Sequence, residues 1–275
     1  MVNVITGWEI EKRTHFDEIV LNYDNIRPEY PEKIFDDIFK FNGSEKGKKA
    51  LEIGAGTGKA TAPFLNMGYN IIAVEIGTNM TEFLRSKFNQ YENFNVINNA
   101  FEDISLDDNN FDLIYAGSAF HWVDAKIGVP KVMQLLNENG VFALFRYNLI
   151  PAIGEKLYEA VQAVYKEHYY SYYKEKEPRI KRTYLDLETP QHNLHNFGFE
   201  NLNIYGFRDI TMKFYDVTLL YNADEYILYL DTMSDHRSLP KNNRNKLYNG
   251  IKEAILTHGG SYKEDLTFQL YMGRK

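Results

Sequence analysis

The feature that most constrains this chain is a glycine-rich turn, Leu51-Glu52-Ile53-Gly54-Ala55-Gly56-Thr57-Gly58-Lys59, between a β-like run and a helical pattern. Ala50–Gly54 reads as a first strand and Lys59–Met67 as the helix that follows. Glycines in such a turn let the backbone approach a ligand closely, and the N–H groups at the helix start are free to bind an anion. Spacing separates the candidate ligands. The dinucleotide fingerprint G-x-G-x-x-G requires glycine where Lys59 stands. The P-loop G-x-x-x-x-G-K-[ST] requires glycine in place of Ile53 and Ser or Thr in place of Ala60. Neither fits, which leaves E-x-G-x-G-x-G on Glu52, Gly54, Gly56 and Gly58.

From Leu51 to Asn148 short β-like runs alternate with helical patterns, the signature of βαβ units and a parallel sheet. Tyr69–Glu75 is a second strand, continuously apolar over Ile71–Val74 as a strand buried on both faces should be. Met80, Phe83, Leu84 and Phe88 form a helical stripe within Met80–Asn89. Phe94–Asn98, Phe111–Gly117 and Val141–Tyr147 read as the third, fourth and fifth strands. A helix over Lys131–Leu136 is expected to end at Asn137–Gly140, with Gly140 as a left-handed cap. Residues 1–45 form a helical cap interrupted by Pro28 and Pro31, and residues 46–150 form the core. Residues 151–275 supply the remaining core strands and an inserted helical lid. There a helical pattern runs from Pro151 to Lys176 and is broken at Glu177-Pro178. Phe197–Tyr205 and Leu266–Met272 look like strands. The helical candidates between them, Ala223–Thr232 and Lys241–Thr257, are too long for a hairpin connection.

Glu75 closes the second strand 75 − 54 = 21 residues after the first glycine. An acid at that offset accepts hydrogen bonds from both hydroxyls of a ribose, in a dinucleotide site as in others. In Asn99–Ile104, after the third strand, Phe101 can flank an adenine while Glu102 and backbone N–H groups read its polar edge; the alternative is a core phenylalanine in a surface loop. With 31 Lys and Arg against 38 Asp and Glu, the formal net charge of −7 argues against a general nucleic-acid binder. The absence of cysteine excludes disulfides, thiolate metal sites and cysteine nucleophiles. Met1–Arg13 mixes Trp8 with charged residues, unlike a signal peptide or membrane span, so a soluble, cytoplasmic protein is expected. The aromatic run His168–Tyr173 suits either helix packing or an aromatic-lined chamber. His15, His168, His192 and His195 read as surface residues, and no metal is expected.

The segment Phe111-Asp112-Leu113-Ile114-Tyr115-Ala116-Gly117-Ser118-Ala119-Phe120-His121-Trp122-Val123-Asp124 resembles the fourth-strand signature of class I S-adenosylmethionine-dependent methyltransferases of the type 11 branch. Tyr23-Asp24-Asn25-Ile26-Arg27-Pro28-Glu29-Tyr30-Pro31 is similar to that branch's Y-x-x-x-R-P-x-Y-P stretch. Ser234-Asp235-His236-Arg237-Ser238-Leu239-Pro240 also looks like that branch, so the resemblance covers nearly the whole chain and is nearest to the trans-aconitate methyltransferase-like members. It departs at Ala100, where many relatives carry an acid. It departs also at Pro130, which should delay or kink the helix after the fourth strand. The resemblance implies an α/β Rossmann-like methyltransferase fold: a mostly parallel seven-stranded sheet with an antiparallel last strand, a helical N-terminal cap and a helical lid insertion. It implies S-adenosyl-L-methionine as cofactor, with Tyr23 and Arg27 folded over it. The expected cofactor set is Tyr23, Arg27, Glu52, Gly54, Ala55, Gly56, Gly58, Glu75, Met80, Phe101, Glu102 and Ser118.

A sulfonium is an activated methyl donor, so such a protein must align the acceptor and exclude water, and needs no nucleophile. His121 follows the fourth strand on the edge where ligands bind and is the candidate base, beside Tyr23. It otherwise shapes a pocket wall with Phe120 and Trp122. Arg146, at the end of the fifth strand, and His236 and Arg237, in the lid, are expected to clamp a small acidic substrate. The competing readings are an NAD-binding oxidoreductase, a non-catalytic cofactor-binding protein and a nucleic-acid methyltransferase. Charge and the missing N/D-P-P-Y/F motif disfavour the last.

Overall fold

The structure, a computed structural model, describes residues 17–43, 45–174, 176, 178 and 199–275. After a 3₁₀ turn at Asp17–Ile19 come α1 (Val20–Ile26) and α2 (Glu32–Asn42). The core then alternates β1 (Lys49–Ile53), α3 (Thr61–Asn66), β2 (Asn70–Glu75), α4 (Thr78–Lys87), β3 (Phe94–Asn98), β4 (Phe111–Gly117), α5 (Ala125–Leu135) and β5 (Leu136–Ile150). α6 (Lys156–Tyr165) runs into a π-helical turn, Lys166–Tyr170. The chain ends with α7 (Phe199–Ile204), β6 (Arg208–Asn222), α8 (Ala223–Leu230), α9 (Ser234–Arg237), α10 (Lys241–Thr257) and β7 (Ser261–Arg274).

The seven strands lie in the order β3-β2-β1-β4-β5-β7-β6. β1 to β5 are mutually parallel, and β7 runs antiparallel to β5 and β6. One face packs Ile34, Phe35 and Ile38 of α2 and Phe64 of α3 against Tyr115 and Phe145. The other packs Val129 and Val132 of α5 and Leu202 of α7 against Leu51, Ile53, Ile114 and Phe142. The strand order reverses between β1 and β4, so their following loops part there and open a crevice at the carboxyl edge of the sheet. A third cluster, rich in tyrosine, joins α6, α8 and α10 with the far ends of β6 and β7. It forms the lid. No helix among the described residues is long and apolar enough to cross a membrane.

Three local expectations are corrected. The described part of the strand expected at Phe197–Tyr205 is helical: α7 occupies Phe199–Ile204, and the strand comes later, at Arg208–Asn222. Alternation would put Leu202 and Ile204 on one face, whereas Leu202 is fully buried and Ile204 is 76% exposed. The helix after β4 does not start late, and it runs on through Pro130 to Leu135. It begins at Ala125, where the Asp124 carboxylate caps the Lys126 N–H at 2.9 Å. Pro130 sits on its exposed side, so the helical hydrogen bond it removes leaves an exposed carbonyl for water. The left-handed residue before β5's core run is Asn139, with φ 66°, and not Gly140. Gly140 instead serves close approach, since a Cβ there would lie 2.9 Å from the Asn137 carbonyl oxygen.

Candidate active site

β1 ends at Ile53, and the chain then passes Gly54, Gly56 and Gly58 with φ of 68°, 56° and 81°, a course only glycine follows without strain. The Gly54 N–H donates to the Val74 carbonyl at 2.8 Å and binds the turn to β2. A Cβ at Gly54 would meet that of Ala119 at 2.5 Å, so this glycine lets the loops after β1 and β4 close on each other. At Gly56 a Cβ would meet no other atom within 4 Å.

The crevice above the turn is a cavity of about 600 Å³, within the usual range for small-molecule sites, roughly 300–1,000 Å³. Fourteen of the residues expected from sequence line it: Tyr23, Arg27, Glu52, Gly54, Ala55, Gly56, Glu75, Met80, Phe101, Glu102, Ser118, His121, Trp122 and Arg146. Glu75 accepts the Gly56 N–H at Oε2 and the Gly77 N–H at Oε1, both at 2.8 Å. Burial raises its carboxyl above the ordinary carboxylate range against the pull of those two donors. Glu52 lies beneath the turn, 1% exposed, with Oε2 accepting the hydroxyls of Thr61 at 2.5 Å and Tyr115 at 3.0 Å. Burial pushes its carboxyl up to about 8.

The cap closes the cavity through its ionic ties. Pro28 ends α1 at Arg27. The Arg27 guanidinium donates to the Tyr147 hydroxyl on β5 and to the Thr232 carbonyl after α8, the latter at 2.6 Å. It also lies over the rings of Tyr23 and Tyr229, at 5.1 and 5.8 Å from their centroids. One arginine therefore joins cap, sheet and lid. Glu29 pairs with Lys59, and Asp24 with Lys87 at 2.9 Å, binding the cap to the glycine turn and to α4. His121 packs on Trp122 with ring centroids 5.1 Å apart.

Four expected site residues lie outside the cavity. A Cβ at Gly58 would sit 2.8 Å from Phe88 Cζ and 2.9 Å from Leu84 Cδ2, so this glycine serves packing of the turn on α4. Phe120 is buried against Phe142 of the core, their centroids 5.1 Å apart. His236 is buried, its Nε2 3.2 Å from the Tyr165 hydroxyl and its ring stacked on Tyr248. Arg237 pairs with Asp231 at 3.1 Å. The single turn of α9 directs Ser234 and Asp235 to the cavity and His236 and Arg237 away from it. The expected clamp of three therefore reduces to Arg146.

The cavity also takes Asp17, Tyr30, Thr57, Tyr147, Asn148, Lys176 and Asp235, none of them singled out in the sequence. Tyr30 and Asp235 stand inside the quoted motifs, beside residues that were. Of the aromatic run His168–Tyr173, Tyr169 is buried in the lid and Tyr172 is half exposed, and the run serves lid packing. His15, His192 and His195 lie outside the described residues.

Residues 51–144 match the family model described as a methyltransferase domain. Over those residues the chain carries the features of a class I S-adenosylmethionine-dependent methyltransferase domain. It is 32% identical to an uncharacterized methyltransferase of Mycobacterium tuberculosis over 129 residues, 47% of this chain and 50% of that protein. The chain spans about half the length of the mycobacterial relatives it matches. Among solved structures it is similar to Haemonchus contortus phosphoethanolamine N-methyltransferase 2 in complex with phosphomonomethylethanolamine and S-adenosylhomocysteine. The TM-score is 0.55 at 14% identity, covering 99% of this chain and 60% of that one. It is also similar to the YcgJ protein of Bacillus subtilis, with TM-score 0.54 at 16% identity over 89% and 99% of the two chains. Trans-aconitate specificity has no counterpart among these similarities.

The cofactor of this family is S-adenosylmethionine. The cavity suits its polar groups, because two buried polar atoms on its wall, Arg27 Nε and Thr57 Oγ1, have no partner among the described residues. Buried polar atoms are normally satisfied.

Proposed function

We propose that this methyltransferase moves a methyl group from S-adenosylmethionine to a small acceptor bearing an acidic group. The observation that supports it best is the meeting, in one cavity, of the glycine turn, the Glu75 carboxylate and the unsatisfied Arg27 and Thr57 atoms. Glu75 would exchange its Gly56 and Gly77 donors for the two ribose hydroxyls. The N–H groups of the turn, with Arg27, would hold the methionine carboxylate. Met80 and Phe101 would flank the adenine, with Glu102 at its polar edge. When bound, the sulfonium supplies an already activated methyl carbon.

The protein's own contribution is then alignment and exclusion of water. Arg146, on the β5 edge of the cavity, is the group assigned to the acceptor's acid. A carboxylate acceptor needs no base. For a hydroxyl or carbon acid, His121 would take the proton, since it lines the same wall. The cap ties at Arg27, Glu29 and Asp24 would close the site over both ligands.

Calorimetric titration with S-adenosylhomocysteine, with NAD and NADP as controls, tests this reading. Micromolar binding of S-adenosylhomocysteine alone, about −8 kcal/mol, is expected, and small organic acids would then be screened as acceptors. Binding of NAD in its place would refute it.

A further inference from the structure

Beside the cavity the lid builds a small cage around a cation. Tyr169, in the π-helical turn after α6, donates its hydroxyl to Asp235 Oδ2 at 2.5 Å. The Tyr173 hydroxyl donates to the Asp235 backbone carbonyl at 2.7 Å. Lys176 Nζ donates to the Tyr169 hydroxyl at 2.7 Å and to Asp235 Oδ2 at 2.9 Å, and lies 4.7 Å from the Tyr173 ring centroid. An aromatic face and a carboxylate around one ammonium are the chemistry by which proteins recognise alkylated ammonium ligands. Asp235 and Lys176 both line the cavity, so the cage opens onto the site rather than onto a separate surface. The turn that carries Tyr169 is π-helical, an insertion frequent at functional sites.

Lys176 holds this place weakly. Its side chain is 43% exposed and that of Asp235 37%, so solvent screens the pair. Its long stem also loses rotamer freedom by staying in the cage. A ligand ammonium presenting the same charge at the end of a bound molecule suffers no such loss once the rest of it is anchored.

We propose that this cage of Tyr169, Tyr173 and Asp235 binds an ammonium or alkylated ammonium group of the acceptor, which exchanges with the Lys176 side chain. With Arg146 assigned to an acidic group in the same cavity, the substrate class is a small zwitterion. That class rests on reading the cavity as the acceptor pocket of a methyltransferase. The cage is a recognition element: a protonated or fully alkylated nitrogen has no lone pair and is not the atom methylated while it sits there.

The test uses tetramethylammonium chloride as the probe, titrated calorimetrically into the full chain, Lys176→Met and Lys176→Met/Asp235→Asn. Each protein is also titrated with S-adenosylhomocysteine. Lys176→Met should bind tetramethylammonium about tenfold more tightly than the unaltered chain, a gain of about 1.4 kcal/mol. Adding Asp235→Asn should abolish that gain. No gain in Lys176→Met, or a gain that survives Asp235→Asn, overturns the cage. If the double variant does not fold, Lys176→Met/Tyr173→Leu replaces it. That protein keeps the Asp235 carboxylate and loses the aromatic face, and undiminished affinity there is equally fatal. Intact S-adenosylhomocysteine binding with no gain for tetramethylammonium removes the cage and leaves the methyltransferase reading standing. A gain without any S-adenosylhomocysteine binding keeps the cage and removes that reading.

Discussion

Replacing Gly58 with alanine separates a glycine that holds ligand from one that holds the fold. Its φ of +81° lies in the left-handed region, where an L-residue costs about 1–2 kcal/mol. The added methyl would also press on Phe88 and Leu84, at 2.8 Å from Phe88 Cζ and 2.9 Å from Leu84 Cδ2. Phe88 and Leu84 are 4% and 0% exposed, so neither can swing into solvent to make room. Overpacking of that kind costs about 1–3 kcal/mol. The sum, about 2–5 kcal/mol, corresponds to a fall in Tm of roughly 5–15 °C for a chain of this size. Affinity for S-adenosylhomocysteine, measured by calorimetry well below the transition, should change little, because Gly58 does not line the cavity. Gly56→Ala should show the reverse pattern. Its methyl would meet no other atom within 4 Å, so only the backbone strain, about 1–2 kcal/mol, reaches the fold. Gly56 does line the cavity and donates its N–H to Glu75, so ligand affinity should fall about tenfold or more. A Gly58→Ala protein that melts like the unaltered chain but no longer binds S-adenosylhomocysteine would refute the packing assignment and restore the cofactor contact expected from sequence.

Glu52 predicts a pH dependence. Its carboxyl sits at about 8 in the fold, against roughly 4.3 in an unfolded chain, so between these values the folded state keeps a proton that the unfolded state has lost. Stability from this group therefore falls as pH rises from about 5 to 8, by up to about 1.4 kcal/mol per unit, and levels off above. Glu52→Gln keeps an acceptor for Thr61 and Tyr115 without titrating. Its stability relative to the unaltered chain, from urea unfolding at several pH values, should climb across that window, and a constant difference would contradict the buried-carboxyl account. Arg146→Met should raise KM for an acidic acceptor at least tenfold, while Arg237→Met should leave KM unchanged and lower Tm slightly by loss of the Asp231 pair. Equal effects of the two on KM would return Arg237 to the acceptor site.

Much of this protein was determined locally and could be read from the sequence. Glycines at 54, 56 and 58 permit a left-handed turn wherever they stand, and a continuously apolar run such as Ile71–Val74 marks a strand buried on both faces. The strand ends at Ile53, Glu75 and Gly117, with the order reversal between β1 and β4, then gather the turn, Glu75 and Ser118 at one crevice. β6 escaped such reading because an edge strand buries little. Its residues alternate between exposed and half-buried with few fully buried among them, so its apolar signal is faint.

Tertiary structure alone decided which residues of each motif face the cavity. Gly58 and Phe120 belong to the right segments but turn toward α4 and the sheet. In Ser234–Arg237 one helical turn spreads four neighbours around its axis. It sends Asp235 into the site and His236 and Arg237 into the lid. Lys176 meets Asp235 across 59 residues of chain, and Arg27 meets Thr232 across 205. Local rules constrain φ, ψ and which face of an element is apolar. They carry no information about which distant element packs against that face, and the pairing of cap, lid and sheet edge that completes this site is a contact of that kind.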